Sequence, residues 1–306
     1  MKRFLITGGA GFIGSHLASN LIANNHNVLI VDDLSSGFKH NIPESNRVEL
    51  IIDKIQGLSQ KEIGKIDGIF HLAAQASVPL SIENFFESSE NNLLSMLKVF
   101  DLTKTLQIPI VYASSSAIYG NLPLGNDIDE KFDILSPYAQ DKLTMEHYAN
   151  MMFNIYKIKS LGLRFFNVYG PKQDSLNPYS GVISIFIDRM LKDKTVVING
   201  GHQTRDFIYV LDIVDVMIKS MELLNKKTLC DNFNVGTGKF VSVDELYINI
   251  KNILNINSKI IKKDLPFGDP DRSSGTFQKI NKVLNINISN FTDLRSGLKE
   301  TIKYFK

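Results

Sequence analysis

The 306-residue chain is 43% hydrophobic and 22% charged, with a formal net charge of +2. This is the profile of a globular protein long enough for one large α/β unit and a smaller lobe, and it gives no reason to expect nucleic acid or an anionic membrane as partner. No apolar run reaches membrane-spanning length, and the single Cys230 leaves no intrachain disulfide. A reducing compartment with a buried cysteine, and so a cytoplasmic location, is the expectation.

The chain opens Lys2-Arg-Phe-Leu-Ile-Thr7. The glycines that follow mark this run as a first strand rather than a signal sequence. Apolar patterning predicts strands over 3–7, 27–31, 48–52, 68–72, 109–114 and 160–165. Helices are predicted over about 12–25, 59–64, 84–106 and 137–157. Strands alternating with helices imply a parallel sheet covered on both faces, hence a doubly wound α/β fold. Beyond Asn167 the rhythm changes, and loops rich in Pro, Asn, Gly and Asp at 170–181 and 264–276 separate shorter helices. The expected division is a first domain over 1–166, to which the chain returns near 206–236, and a second, smaller α/β lobe mainly over 167–306. The second lobe is expected over the carboxyl ends of the strands.

Between the first strand and the first helix lies Gly8-Gly9-Ala10-Gly11-Phe12-Ile13-Gly14. Strand, tight turn and helix in that order is the context of a dinucleotide-binding fingerprint, the Rossmann arrangement. Gly8 suits the turn, Gly11 lets backbone approach a pyrophosphate, and Gly14 lets helix and strand pack closely. The helix N-terminus then offers its free N–H groups to phosphate. The second strand, Val28-Leu-Ile-Val31, ends in Asp32-Asp33. Asp32 stands where a carboxylate accepts from the ribose hydroxyls and repels a 2′-phosphate. No Arg follows it immediately, although Lys39 is within loop reach, so NAD is expected rather than NADP. Asp33, before Leu34-Ser-Ser-Gly37, reads first as a turn or cap residue.

Tyr138 and Lys142 are four residues apart on a predicted helix, so they share one face. A tyrosine has a pKa near about 10 and makes a poor base at neutral pH; a neighbouring ammonium favours its phenolate. Ser114-Ser115-Ser116 follows the apolar strand Ile110-Val-Tyr-Ala113, at the sheet edge where ligands bind in such folds. A hydroxyl there can bond the oxygen that Tyr138 deprotonates. No G-x-S-x-G elbow surrounds these serines, which argues against a hydrolase. His, Cys and carboxylates do not cluster at metal spacing, so no metal is expected, and His71 reads as a packed strand-end residue.

Taken together, Thr7-Gly-Gly-Ala-Gly-Phe-Ile-Gly14, Asp32, His71-Leu-Ala-Ala74, Ser114-Ser-Ser116, Tyr138-x-x-x-Lys142 and Arg164-Phe-Phe-Asn-Val-Tyr-Gly170 resemble the extended short-chain dehydrogenase/reductase family. Within it, the chain looks most similar to the nucleotide-sugar 4-epimerases of the UDP-glucose and UDP-N-acetylglucosamine group. The resemblance runs over essentially the whole chain. It implies a catalytic triad of Ser116, Tyr138 and Lys142. It further implies NAD contacts from Gly8, Gly11, Phe12, Ile13, Gly14, Asp32, Asp33, Ser36 and Gly37, and from Asp53, Lys54 and Ile55. Leu72, Ala73, Ala74, Gln75, Asn92, Ser114, Tyr138, Lys142, Phe165 and Val168 complete the implied cofactor set. For a UDP-sugar substrate it implies Ser116 and Tyr138, with Asn167 and Arg205 on the diphosphate. Val182, Ile183, Val197 and Asn199 would embrace the base, and Asp269 would meet a ribose. A homodimer built on the helices near 84–106 and 137–157 is implied by analogy alone.

In the same family, 4,6-dehydratases carry an Asp-Glu pair just after the position of Ser115, and decarboxylases carry a Glu nearby. This chain has Ser116-Ala117-Ile118. Without a second acid or base, what remains is oxidation at C4 and return of the hydride to the other face. The implied reaction is 4-epimerisation of UDP-N-acetylglucosamine and UDP-N-acetylgalactosamine, with the UDP-glucose/UDP-galactose pair alongside. An NAD(P)H-dependent 4-ketosugar-nucleotide reductase is the alternative within the family, and a non-catalytic NAD-binding sensor the alternative outside it. One departure stands out: family epimerases usually have Arg at the position of Pro266, two residues before Gly268-Asp269. Arg272 is the candidate replacement. Ser273, seven residues after Pro266, matches the position beside the sugar C2 substituent, where a small residue leaves space for an N-acetyl group.

Overall fold

A computed structural model describes residues 1–177, 180–265 and 269–306. In chain order the first half forms β1 Arg3–Thr7, α1 Phe12–Ala23, β2 Asn27–Val31, β3 Val48–Ile51, α2 Gln60–Ile63 and β4 Gly68–His71. There follow α3 Val78–Glu83, α4 Phe85–Leu106, β5 Ile110–Ser115, α5 Pro137–Tyr156 and β6 Ser160–Phe165. The remainder comprises β7 Asn167–Tyr169, α6 Val182–Leu191, β8 Val196–Asn199, β9 Thr204–Tyr209, α7 Val210–Lys226 and β10 Cys230–Val235. It closes with β11 Phe240–Ser242, α8 Val243–Leu254, β12 Ile260–Lys263, α9 Gln278–Leu284 and α10 Leu294–Phe305.

The chain divides into two compact units, each assembled from three segments. Unit 1 takes residues 1–115, 137–164 and 214–233. Its seven-stranded sheet has the order β10-β6-β5-β4-β1-β2-β3, with β1 to β5 paired in parallel. Strands buried on both sides read as continuous apolar runs, as Leu5-Ile6 and Val28-Leu-Ile-Val31 do. On one face Met96, Val99 and Phe100 of α4 pack with Met145, Ala149 and Met152 of α5 against Leu5, Leu29, Ile69 and Ile110. The strand order reverses at β1 and β4, and ligands of doubly wound sheets bind beside that switch point.

Unit 2 takes residues 116–136, 165–213 and 234–306. It holds the three-stranded sheet β11-β9-β7 and the parallel pair β12-β8. Ser242 caps α8 through a reciprocal capping box with Glu245, and Asp293 caps α10 through the Ser296 N–H. The stretch 116–136 belongs here, although the sequence reading left it in the first domain. Gly125 donates to the Ser274 carbonyl at 2.8 Å and accepts from Thr276 at 2.9 Å. Asp127 accepts the Asn234 N–H at 3.0 Å, and the Asn234 amide bonds Tyr119, Gly125 and Thr276. Those partners are remote in sequence, so local patterning carries no trace of them. The sequence expectations named neither the short helix α3, capped by Ser77, nor α7 and the edge strand β10, and beyond Asn167 they gave no bounds for individual elements. Cys230 is half-buried rather than in the core; its sulfur accepts from Ser160 Oγ at 3.1 Å. No helix among the described residues is long and apolar enough to cross a membrane.

Candidate active site

The turn after β1 is built around backbone that tolerates no side chain. Gly8 has φ +71°, and a Cβ there would lie 2.8 Å from the Ala73 nitrogen. A Cβ on Gly14 would run into the Gly8 carbonyl oxygen. At Gly11, the N-cap of α1, a Cβ would meet only the Gly8 oxygen, so that side of the turn is open. Among the described residues no side chain caps α1, and its first turn carries no acid, which leaves N–H groups for an anion. Phe12 and Ile13 sit in that turn, half-buried.

Asp32, at the end of β2, is buried; its Oδ2 accepts the Ala10 N–H and its Oδ1 the Leu34 N–H, each at 2.9 Å. Each carboxylate oxygen retains a further lone pair for a ribose hydroxyl. Asp33 Oδ1 accepts from Ser35 N and Oγ, a turn-closing role. Gly37 packs against Ala10 and Asp32, and Ser36 is exposed. Further along, Asp53 and Lys54 are exposed, Asp53 accepting the Lys54 N–H at 2.7 Å, whereas the Ile55 side chain is core.

Beside this turn, Thr7 Oγ1 lies 2.7 Å from His71 Nδ1 and 3.3 Å from the N–H groups of both Leu72 and Ala73. The hydroxyl accepts from the amides and so donates to Nδ1, which places the imidazole proton on Nε2. That Nε2 is buried, with no hydrogen-bond partner among the described residues. Burial, with the Lys142 charge adding to it, pushes the His71 pKa down to about 3, so the ring is neutral. Ala74 and Gln75 continue the loop, half-buried. Asn92 on α4 holds Gln75 by its backbone: Asn92 Oδ1 accepts the Gln75 N–H at 2.8 Å and Nδ2 donates to the Gln75 carbonyl at 3.2 Å.

Tyr138 and Lys142 line one stripe of α5, both buried. Ser81 on α3 accepts the Tyr138 N–H at 3.2 Å. Lys142 Nζ donates to the Ala113 carbonyl at 2.7 Å, at the end of β5, and lies 5.7 Å from the centroid of the Tyr138 ring. Burial pushes the Tyr138 pKa up, a hydrogen bond from Ser115 works against that, and the charge on Asp141 adds to it. The expectation that Lys142 lowers this pKa is therefore not met in the chain alone: the ammonium is drawn to a carbonyl rather than to the phenolic oxygen. Burial brings Lys142 itself down to about 8, with Asp141 opposing.

The hydroxyl on Tyr138 belongs to Ser115, one residue before Ser116. Ser114 donates to Glu146 Oε1 at 2.5 Å, and Glu146 is held by Arg164 through Nε at 2.9 Å and Nη2 at 2.6 Å. Glu146, one turn beyond Lys142, escaped the sequence reading; the spacing 138, 142, 146 was the available signal.

In unit 2, Ser116 opens the short turn Ser116–Tyr119. Of the acids folded near it, Asp133 accepts the Asn121 N–H at 2.9 Å and Asp127 the Asn234 N–H. Arg205 is buried on β9 and pairs with Asp269. The backbone N–H of Ser273 donates to the Thr204 carbonyl at 3.1 Å, and Arg272 bridges Thr204, so both stand beside the Arg205 strand. Ser273 is half-buried, and the Arg272 side chain is exposed. Asn167 and Asn199 are exposed, Val168, Val182 and Val197 half-buried, and Phe165 and Ile183 buried. Pro266 and Gly268 lie outside the described residues.

Residues 4–236 match the model of the NAD dependent epimerase/dehydratase family. The chain belongs to that family. Among solved structures, it is similar to the UDP-N-acetylglucosamine 4-epimerase of Methanobrevibacter ruminantium M1, determined in complex with UDP-N-acetylmuramic acid. The two are 34% identical, with 99% of this chain and 98% of that one covered and a TM-score of 0.91. A UDP-glucose 4-epimerase of Mycolicibacterium smegmatis is 31% identical over 99% of this chain and 98% of its own. The UDP-N-acetyl-alpha-D-glucosaminuronate decarboxylase of Bacillus cytotoxicus is 32% identical over 100% and 98%. The family is NAD-dependent, and the open cradle at Gly11, the uncapped α1 and the Asp32 carboxylate fit that cofactor.

Proposed function

We propose that the chain is a UDP-hexose 4-epimerase that interconverts UDP-N-acetylglucosamine and UDP-N-acetylgalactosamine, with UDP-glucose and UDP-galactose as a second pair. The observation that carries this is the buried Tyr138–Lys142 stripe with Ser115 on the phenol, where the chain that follows Ser115, Ser116-Ala117-Ile118, has no carboxylate. A dehydratase or decarboxylase needs a second acid or base there. The acids folded near that turn, Asp127 and Asp133, are engaged with backbone N–H groups. The named epimerases among the relatives support the same reading.

When bound, NAD supplies reversible acceptance of a hydride from a carbon bearing a hydroxyl. Gly8, Gly11, Gly14 and the α1 N-terminus would hold its diphosphate, and Asp32 its ribose. Tyr138 would take the 4″-hydroxyl proton and return it, while Lys142 supplies positive charge beneath the ring. Ser115 steadies the phenolic oxygen, and Ser116, next along the chain, would orient the sugar hydroxyl. Asn167 and Arg205 would bind the diphosphate. Arg205 must then exchange its Asp269 partner for phosphate, which leaves Asp269 to meet the ribose. Arg272 would add a second cation, and Ser273 would border the C2 substituent.

Incubating purified protein with each of the four UDP-sugars, without added cofactor, tests this. Interconversion at C4 is expected, with NAD rather than NADP released on denaturation. Turnover that consumes stoichiometric NADH would instead identify the ketosugar reductase. A cytoplasmic homodimer completes the reading. Leu94 and Leu97 of α4 and Tyr148, Ile155 and Tyr156 of α5 are exposed apolar residues that a second copy would cover. Light scattering on wild type and Leu97→Glu reads the assembly.

A further inference from the structure

Asp141 immediately precedes Lys142, faces inward, and is 5% exposed. Its Oδ2 accepts Asn92 Nδ2 at 3.1 Å and Ser89 Oγ at 3.2 Å, both from α4. No cation lies within ion-pair distance of it among the described residues, because Lys142 Nζ turns to Ala113. Asn92 is thus used twice: Nδ2 serves Asp141 and the Gln75 carbonyl, and Oδ1 takes the Gln75 N–H. Ser88 adds a bond to Gln75 Oε1 at 3.0 Å. One buried carboxylate therefore sits at the root of a chain running from α5 through α4 to the loop after β4.

A buried carboxylate with two neutral donors is an expensive way to fasten two helices, since a serine or asparagine could do it without desolvating a charge. Its position next to Lys142 gives the charge a use. We propose that Asp141 is a positioning residue: through Asn92 it fixes the Gln75 backbone against α5, and its carboxylate is the counter-charge that keeps Lys142 an ammonium. The catalytic part of this rests on the 4-epimerase reading; the link between Asp141 and Lys142 does not. Burial pushes Asp141 up, Asn92 and Ser89 hold it down, and the Lys142 charge also favours its ionised form. The other groups around it do not replace it. His71 is neutral, Glu146 is committed to Arg164, and Glu83, Glu87 and Glu90 on α3 and α4 are exposed. Tyr138 feels the same charge, which disfavours its phenolate.

Removing the charge should move both groups the same way. The test is NMR titration of Lys142 in protein labelled with ¹³C-lysine, its signal assigned by loss in Lys142→Met, alongside the pH profile of kcat. In Asp141→Asn and Asp141→Ser, Lys142 should titrate about one unit lower than in wild type. Both limbs of the kcat profile should move toward acid. Asp141→Glu, which keeps the charge, should return the titration toward wild type. Asn92→Ala should weaken NAD retention about tenfold, the scale of a lost buried hydrogen bond, and, because it removes a donor that holds Asp141 down, should move the Lys142 titration no further than Asp141→Asn does. Lys142 titrating at the wild-type pH in both neutral variants would overturn the proposal. If Lys142 shifts but wild type interconverts no UDP-sugar, the 4-epimerase reading fails and the Asp141 link stands. Of the two neutral variants, Asp141→Ser needs no new amide partner and covers the case in which Asp141→Asn does not fold.

Discussion

Arg164 Nη2 lies 2.6 Å from Glu146 Oε2, and both side chains are almost wholly buried. Arg164 Nε adds a second bond to Oε1, which also receives Ser114. The guanidinium therefore meets the carboxylate two-pronged, and the pair ties β6 to α5 and to the end of β5. Glu146→Ala would strand a buried guanidinium and should cost about 3–5 kcal/mol in urea unfolding. The double variant Glu146→Met/Arg164→Leu should recover most of that loss, because neither charge then remains buried. A single-variant cost below about 1 kcal/mol, the range of exposed pairs, would show that water reaches the site.

Two serines at the end of β5 should separate by their pH behaviour. Tyr138→Phe is expected to lose about 10²–10⁴-fold in kcat while still retaining NAD. Ser115 favours the phenolate, so Ser115→Ala should move the acid limb of the kcat profile to higher pH. Ser116→Ala should lower kcat without moving that limb, because its partner would be the sugar hydroxyl. The opposite pattern would exchange the roles of the two serines.

His71 makes stability depend on pH. Its folded-state pKa of about 3 lies below the 6.5 of the unfolded chain, so the unfolded state binds more protons between those values. The contribution is fully present above pH 6.5 and is lost as pH falls from 6.5 toward 3. The slope approaches about 1.4 kcal/mol per pH unit, one proton's worth. Urea midpoints measured across that window should fall more steeply for wild type than for His71→Gln. Parallel curves would mean that the ring already carries its proton in the folded protein.

If Ser273 borders the C2 substituent as proposed, its size sets which sugars fit. Ser273→Tyr should depress activity on the N-acetylated UDP-sugars far more than on UDP-galactose, measured as kcat/KM for each. Equal loss on both would take Ser273 out of the pocket. One missing contact in an apolar pocket discriminates by about 10–200-fold, which is the scale to look for.

The parallel sheet was legible because each strand is locally apolar and each turn locally punctuated. Predicted strands 3–7 and 27–31 coincide with β1 and β2, and the remaining predicted strands agree to within a residue. The stretch over Val78–Glu83 was not legible: Val-Pro-Leu-Ser-Ile-Glu is too short for helical periodicity to declare itself, and its cap Ser77 has no capping-box partner. The strand Cys230–Val235 interleaves polar residues, Asp231, Asn232 and Asn234, that find partners only after folding. At the site, the glycine turn, Asp32, Tyr138 and Lys142 are set by local geometry and could be read. Whether Ser115 or Ser116 touches the phenol depends on how the last residues of β5 turn, and one residue is below the resolution of pattern. Asp141 went unread because nothing in Tyr138-Ala-Gln-Asp-Lys142 says which way the fourth residue faces.

The interleaving of the two units has a consequence for anyone cutting the gene. Unit 1 draws on 1–115, 137–164 and 214–233, so no stop codon releases it as a contiguous fragment. A truncation after residue 166 would delete α7 and β10, stripping helical cover from the sheet and unpairing the outer side of β6. That edge would become a template for aggregation. Synthesis must also run past residue 233 before the sheet can close. Until then the nascent chain holds its apolar strands without their last partner, a delay that favours slow folding and chaperone dependence over cotranslational completion of an N-terminal half.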